Sequence, residues 1–417
     1  MNKAQPLAAA PPSSCIRCGA CMEVCPLYQR LGREPVVARG KLSLLQALEA
    51  GELAASRHFQ EILECCLLCG ACSDKCVAQI KIPELIKQGR AQVRNLYGPH
   101  WSPALALVHL TRQTPHLVPA LAAAAPLINR LQKRLGAQSG WFYRLWPMLA
   151  RPLGQLPRLA RQPFLATVPQ LIPGRGPLRI AFFVGCGVET WFPTAGQAFL
   201  KLCQRLEIEV VIPSNQGCCG LLADSAGERQ VARELGRRLV EQFSPLKVDY
   251  IVSVCGSCTY QLKRLGQLLQ DTPLADAAAR FAARVREASE FLVHLAKLPR
   301  HFFSPAPSPR RIIFHDPCHL HRGQGIYQEP RRLLQAVPGL ELLDSPGGKS
   351  CCGQGGLFGV GYPDLSQSIG RELMQSYQQA GAEAVVTACS GCLIQLASLA
   401  TPEMSVSHFL ELLANSG

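Results

Sequence analysis

A chain of 417 residues with 20 cysteines, 48% hydrophobic residues and a formal charge of +14 is far longer than the small secreted domains that use cysteine as disulfide staples. It can bury the cores of about two to four domains. It opens without a signal peptide, so its thiols are expected to remain reduced in the cytoplasm, either free or peripheral on the inner face of the cytoplasmic membrane. Its longest apolar run, Leu117 to Ile128, is interrupted by prolines and falls short of the roughly 20 residues a spanning helix needs.

Residues 1–97 carry two cysteine runs of one spacing. The first is Cys15, Cys18, Cys21 and Cys25 followed by Pro26; the second is Cys66, Cys69, Cys72 and Cys76. Three thiolates at every third position can wrap one iron-sulfur cube, because a tight loop and a helical turn point the sulfurs inward. In two-cluster ferredoxins the fourth cysteine of each run ligates the other run's cluster. One 4Fe–4S cluster is therefore assigned to Cys15, Cys18, Cys21 and Cys76, and a second to Cys66, Cys69, Cys72 and Cys25. Four-cysteine zinc is the competing chemistry. The leucines between the runs recur at helical spacing from Lys41 to about Leu63, which predicts a helix-rich unit. Cys65 and Cys203 read as spare or buried thiols.

Residues 98–175 form a connector rich in proline and positive charge. From Leu85 to Val188 there is no Asp or Glu, while thirteen Lys and Arg side chains run from Lys87 to Arg179. Trp101, Trp141, Phe142, Tyr143 and Trp146 accompany them. Short basic amphipathic helices of this kind lie on an anionic membrane surface or an acidic partner, or are a linker with solvated arginines. Nucleic acid is not expected, since no recognition module accompanies the charge.

From residue 176 onward, helices alternate with short apolar strands at Arg179–Val184, Glu209–Ile212, Asp249–Val254, Arg311–Phe314, Leu340–Leu343 and Ala384–Thr387. This alternation predicts parallel α/β sheets, in two domains spanning 176–300 and 301–417. Each carries the same five cysteines: Cys186, Cys218, Cys219, Cys255 and Cys258, then Cys318, Cys351, Cys352, Cys389 and Cys392. The gaps are 31 and 35 residues in the first set and 32 and 36 in the second, the mark of a duplication. Five thiolates, two of them adjacent, point to an unusual cluster, with zinc in one copy as the alternative. The single cysteines and CxxC pairs follow strands, where open parallel sheets collect ligands. The second member of each CxxC is expected to begin a helix whose dipole offsets anionic sulfur, and the two halves are expected to face each other. His315, His319 and His321 flank Cys318 and can either handle protons or cap loops; loop capping is the favoured reading. His408 is read as packing a terminal helix. Gly348, Lys349 and Ser350 do not form a phosphate loop, because Leu343 stands where its first glycine is required. No G-x-G-x-x-G motif marks a flavin or dinucleotide fold, so the chain is not expected to oxidise a substrate unaided.

The motifs CIRCGACMEVCP, CLLCGACSDKC, GCCG with CGSC, and HDPCHL with SCCGQGG and CSGC resemble, over nearly the full chain, the iron-sulfur subunit of glycolate oxidase and related lactate-oxidising complexes. The two repeats resemble the cysteine-rich CCG domains of heterodisulfide reductase. The resemblance implies a multidomain α+β chain: a helix-rich two-cluster ferredoxin domain, a helical connector and two α/β CCG domains with small parallel sheets. It implies an electron-transfer subunit that receives electrons from an FAD-containing 2-hydroxy acid dehydrogenase subunit and passes them towards quinone. One or two further clusters, noncubane in the heterodisulfide reductase relatives, would sit in the CCG domains. The alternative function it implies is a reductase whose CCG cluster acts on a disulfide or quinone; a zinc-stabilised scaffold is a more distant alternative. Two features depart from the pattern: Val77 replaces the proline that commonly follows the second run, and both pentads are complete where some glycolate oxidase subunits lack part of them.

Overall fold

The computed structural model describes residues 14–98, 103–112, 114–135, 157–299, 302–305 and 310–416. The tryptophan-rich part of the connector, with Trp101, Trp141, Phe142, Tyr143 and Trp146, lies outside them.

The two N-terminal runs fold alike. In each, the residue before the second cysteine and the glycine after it take left-handed φ: Arg17 at 58° and Gly19 at 84°, then Leu68 at 53° and Gly70 at 75°. These reversals coil the loop around its sulfurs. The first run continues into α1 (Ala20–Glu23) and α2 (Pro26–Leu31), the latter started by Pro26, whose missing N–H costs a helix nothing at its first turn. The helical stretch expected from Lys41 to about Leu63 is made of two helices, α3 (Ala38–Glu49) and α4 (Arg57–Glu64). Left-handed Gly51 follows the first, and Ser56 caps the second by accepting from the Phe59 amide at 3.2 Å. After the second run come α5 (Ala71–Asp74) and α6 (Ile82–Tyr97). Leu42, Leu45, Phe59, Leu63, Leu85 and Val93 fill the core between α3, α4 and α6. The connector provides α7 (Pro103–Thr111) and α8 (Thr114–Leu135). Among the described residues no helix is long and apolar enough to cross a membrane.

The two repeats are small, mostly parallel sheets. The first has strands β1 (Leu171–Ile172), β2 (Arg179–Phe182), β3 (Glu209–Val211), β4 (Tyr250–Ser253) and β5 (Val285–Glu287), in the order β1-β3-β2-β4-β5 with only β1 antiparallel. The second has β6 (Arg310–His315), β7 (Leu340–Leu343), β8 (Ala384–Thr387) and β9 (Ser405–His408), in the order β7-β6-β8-β9, all parallel. Strands β1, β5 and β9 add to the expected set. They are two to four residues long, and Arg286, Glu287, Ser405 and Ser407 break the apolar pattern. Successive side chains alternate faces, so Ala181, Phe183, Ile313 and Val385 enter one core while Ile180, Phe182, Ile312 and Val386 enter another. Both cores draw on both repeats.

The repeats meet through reciprocal helix contacts, 185–190 against 390–397 and 256–263 against 318–324. The Gly256 amide donates to the Ala388 carbonyl at 2.8 Å, and His408 Nε2 donates to the Val254 carbonyl at 2.9 Å. The ferredoxin-like unit is clamped onto both. Lys87 pairs with Asp224 at 2.7 Å, Arg94 with Glu228 at 2.5 Å, and Glu84 with Arg264; Arg30 pairs with Glu372. Several cations of the acid-free stretch therefore serve an internal interface.

Burial would raise the Glu84 carboxyl, but Arg264 and Lys87 outweigh it and hold it down to about 2. A depressed carboxylate contributes stability that is present above the ordinary range and lost as pH falls towards about 2. Glu84→Gln is expected to cost about 2 kcal/mol at neutral pH and to remove that acid sensitivity, as read by denaturant unfolding of anaerobic protein at pH 7 and pH 4.

Candidate metal centres

Two hollows in the N-terminal unit are lined by sulfur. The first is bordered by Cys15, Cys18, Cys21 and Cys76, the second by Cys25, Cys66 and Cys69, and Cys72 borders both. The last cysteine of each run thus stands with the first three of the other. The first hollow is near solvent: Cys18 is exposed, and Ile16 and Val77 beside it are 66% and 69% exposed. The second is walled mostly by buried side chains and has one cation in its lining. Lys41, 1% exposed, lines it and donates to the Pro35 carbonyl at 3.2 Å and to that of Val36. Arg90 donates to the carbonyls of Leu63, Glu64 and Cys66. Nothing in the sequence distinguishes Lys41, which sits in a leucine-rich helix, or Arg90, which is one basic residue of many. Burial pushes the Cys25 thiol up to about 11.

The ten cysteines of the repeats form one string of neighbouring thiols. In order it runs Cys186, Cys218, Cys219, Cys258, Cys255, Cys389, Cys392, Cys352, Cys351, Cys318, each thiol beside the next and shifting its charge. The Cys352 and Cys392 sulfurs are 3.5 Å apart. The repeats join at Cys255 and Cys389. At its other end the string reaches the N-terminal unit, where the Cys351 thiol lies beside Cys69 and lowers it to about 6. Cys219, held by Cys218 and Cys258, is likewise lowered to about 6.

Local geometry explains the residues around these sulfurs. Gly220 and Gly353 have φ of 87° and 92°, and each donates its amide to the first cysteine of its pair, Cys218 or Cys351, at 3.5 Å. A Cβ on Gly353 would stand 2.6 Å from the Ser366 carbonyl oxygen. Cys255 and Cys389 are the N-caps of helices Gly256–Lys263 and Ser390–Ala397. The helix therefore starts at the first cysteine of each CxxC, not at the second as expected, and Cys258 and Cys392 lie within its first turn. Arg322 links the two units, donating to the Cys69 carbonyl at 3.3 Å and to the Cys318 sulfur at 3.7 Å.

The histidines divide. His321 stacks on Tyr327 at 4.8 Å, and His408 caps the terminal helix Phe409–Asn415, both structural. His319 instead stacks on Tyr260 at 4.7 Å, with Nδ1 3.0 Å from Ser257 Oγ, itself 3.1 Å from the Cys389 sulfur. Burial lowers His319 to about 4, so it is neutral at pH 7. His315 also reaches the sulfurs: its one free ring nitrogen, Cys352 and Cys392 lie within 4.8 Å of one another.

The donor set fits iron-sulfur chemistry. Eight of the ten pentad cysteines are buried, and thiolates so close together repel unless multivalent cations lie among them. All are soft ligands, which select iron-sulfur clusters or zinc over harder ions.

A 4Fe-4S dicluster domain family matches residues 12–80, and a cysteine-rich domain family matches twice, at 180–263 and 312–397. The second match coincides with the duplicated sheets. Over 393 residues the chain is 30% identical to a probable glycolate oxidase iron-sulfur subunit of Bacillus subtilis, covering 92% of this chain and 88% of that one. The chain belongs to the glycolate oxidase iron-sulfur subunit family. The Escherichia coli glycolate oxidase iron-sulfur subunit is 27% identical over 412 residues, covering 96% of this chain and 92% of that one. A fumarate reductase (CoM/CoB) subunit of Methanothermobacter marburgensis is 28% identical over 412 residues, covering 96% of this chain and 71% of that one. The matched domains and the sulfur sets make the chain an iron-sulfur protein.

Proposed function

We propose that this chain is the electron-conducting subunit of a complex that oxidises a 2-hydroxy acid, glycolate or lactate. An FAD-containing partner removes two electrons and two protons from the acid, and a quinone takes them up. When bound, the clusters accept and release one electron at a time. The chain's residues hold them in order: Cys15, Cys18, Cys21 and Cys76 around one 4Fe–4S cluster, Cys66, Cys69, Cys72 and Cys25 around a second, and each pentad around a further, noncubane one. The corresponding domains are 1–97, 176–300 and 301–417, with 98–175 as connector. The observation that carries this reading is the unbroken run of sulfur from exposed Cys18 through Cys72, Cys69 and Cys351 to Cys186. Exposed Ile16 and Val77 make the first hollow a docking point for a redox partner. Leu110 and Leu127, 50% and 72% exposed on α7 and α8, support attachment to the cytoplasmic face of a membrane.

Anaerobic protein is expected to contain iron nearly equimolar with sulfide and little zinc, and to be reduced by hydroxy acid only with the flavin subunit present. Zinc in place of iron, or reduction by the acid alone, would overturn the reading. A disulfide reductase is the second reading, favoured by the complete pentads and by the likeness to the fumarate reductase (CoM/CoB) protein. Burial weighs against it, because eight of the ten pentad sulfurs are enclosed, leaving little room for a bulky disulfide. Turnover of a heterodisulfide with an artificial reductant would support it.

A further inference from the structure

The duplication allows the surroundings of the two pentads to be compared position by position. Three residues before Cys318 stands His315; three before Cys186 stands Phe183. The helices that follow the CCG pairs align Leu239, Val240 and Phe243 with Leu373, Met374 and Tyr377, all buried. Phe183 and Phe243 have ring centroids 6.0 Å apart, and His315 and Tyr377 6.3 Å. The same pair of rings therefore occupies the same place in each repeat. In the first it is hydrocarbon throughout. A Cβ on Gly185 would meet the Cys258 sulfur at 3.0 Å and the Phe183 ring at 3.5 Å, so that ring stands beside the pentad with no donor to offer.

In the second repeat the pair is polar and directed. His315 is 1% exposed; its Nδ1 lies 2.9 Å from Tyr377 Oη. Its Nε2 has no hydrogen-bond partner, and the imidazole stands within 4.8 Å of the Cys352 and Cys392 sulfurs. A ligating thiolate only accepts hydrogen bonds. With Tyr377 Oη–H donating to Nδ1, the imidazole carries its proton on Nε2, the nitrogen left to donate to a ligating sulfur. Hydrogen bonds to ligand sulfur stabilise the reduced, more negative state of an iron-sulfur cluster and raise its potential.

We propose, resting on the reading that each pentad holds a cluster, that the two pentads are electronically unequal. His315, positioned by Tyr377, donates a hydrogen bond to the Cys352 sulfur and makes the second-repeat site the higher-potential of the two. That site also touches the N-terminal unit through Cys351 and Cys69. Electrons arriving from the ferredoxin-like clusters therefore settle first in the second repeat, and the first repeat, flanked by Phe183 and Phe243, fills after it.

The test is an anaerobic redox titration followed by electron paramagnetic resonance, with Cys352→Ser identifying the second-repeat signal. His315→Phe is expected to keep its iron and lower the midpoint of that signal alone by at least tenfold in the reduction equilibrium, about 59 mV for one electron. Tyr377→Phe is expected to lower it by less, and His315→Gln, which retains an N–H donor, to restore most of it. An unchanged midpoint in both Phe variants would overturn the proposal. So would loss of second-repeat iron in folded His315→Phe protein, since His315 would then be a ligand. Wild-type protein with iron for only the two N-terminal clusters would instead overturn the reading on which the proposal rests.

Discussion

Replacing Cys69 by alanine is expected to reduce hydroxy-acid turnover by the assembled complex to background. Among the described residues, Cys69 is the N-terminal cysteine whose sulfur meets a pentad, at Cys351. Arg322 bridges the same place, from the Cys69 carbonyl to the Cys318 sulfur. On the ligand set proposed here, losing Cys69 removes a cluster and separates the solvent-facing hollow from the buried string, whichever way electrons run. The neighbouring Cys65 is buried but borders neither hollow, so Cys65→Ala should retain turnover at a modest cost in stability. Stopped-flow reduction with the flavin partner would show Cys69→Ala protein filling sites on one side of the break only. Turnover that survives in Cys69→Ala would place the N-terminal clusters off the route.

The spacing of cysteines makes most of this site legible in the sequence, because a ligand set recurs at fixed intervals whatever surrounds it. The duplicated gaps locate both repeats, and the apolar runs locate their central strands. Two other kinds of feature stay hidden. Strands β5 and β9 carry Glu287 and His408, polar residues that look like loop and are in fact the N-caps of the helices that follow. Arg90, Arg322 and Ser257 matter through contacts with distant segments, such as Cys69, 253 positions from Arg322, and no local pattern reports such contacts. Sequence alone favours loop capping for His315, His319 and His321 alike; only the fold shows that His315 stands near sulfur and His319 reaches it through Ser257.

The order of glycine and serine in the two CxxC pairs, CGSC in the first repeat and CSGC in the second, follows from what each pair faces across the interface. Gly256 leaves room for Leu320, whose Cβ would be 3.0 Å from an added methyl, and Ser257 reaches His319. In the other half the small residue is on the opposite side: a Cβ on Gly187 would stand 2.2 Å from the Ser390 Cβ, far inside van der Waals contact. Gly187→Ala gains about 1 kcal/mol of helix propensity, but the clash must displace helix 185–190 or helix 390–397. These carry Cys186 and Cys392, and Cys389 caps the second. Overpacking of this kind costs about 1–3 kcal/mol, and a shift of the helices separates the sulfurs that join the repeats. The variant is expected to lose iron from both pentads, keep the N-terminal clusters and unfold at lower denaturant. Ser390→Gly, which removes the atoms in the way, should restore iron and stability in the double variant. Gly187→Ala protein as stable and iron-replete as wild type would show that the two repeats do not meet as closely as Gly187 and Ser390 require.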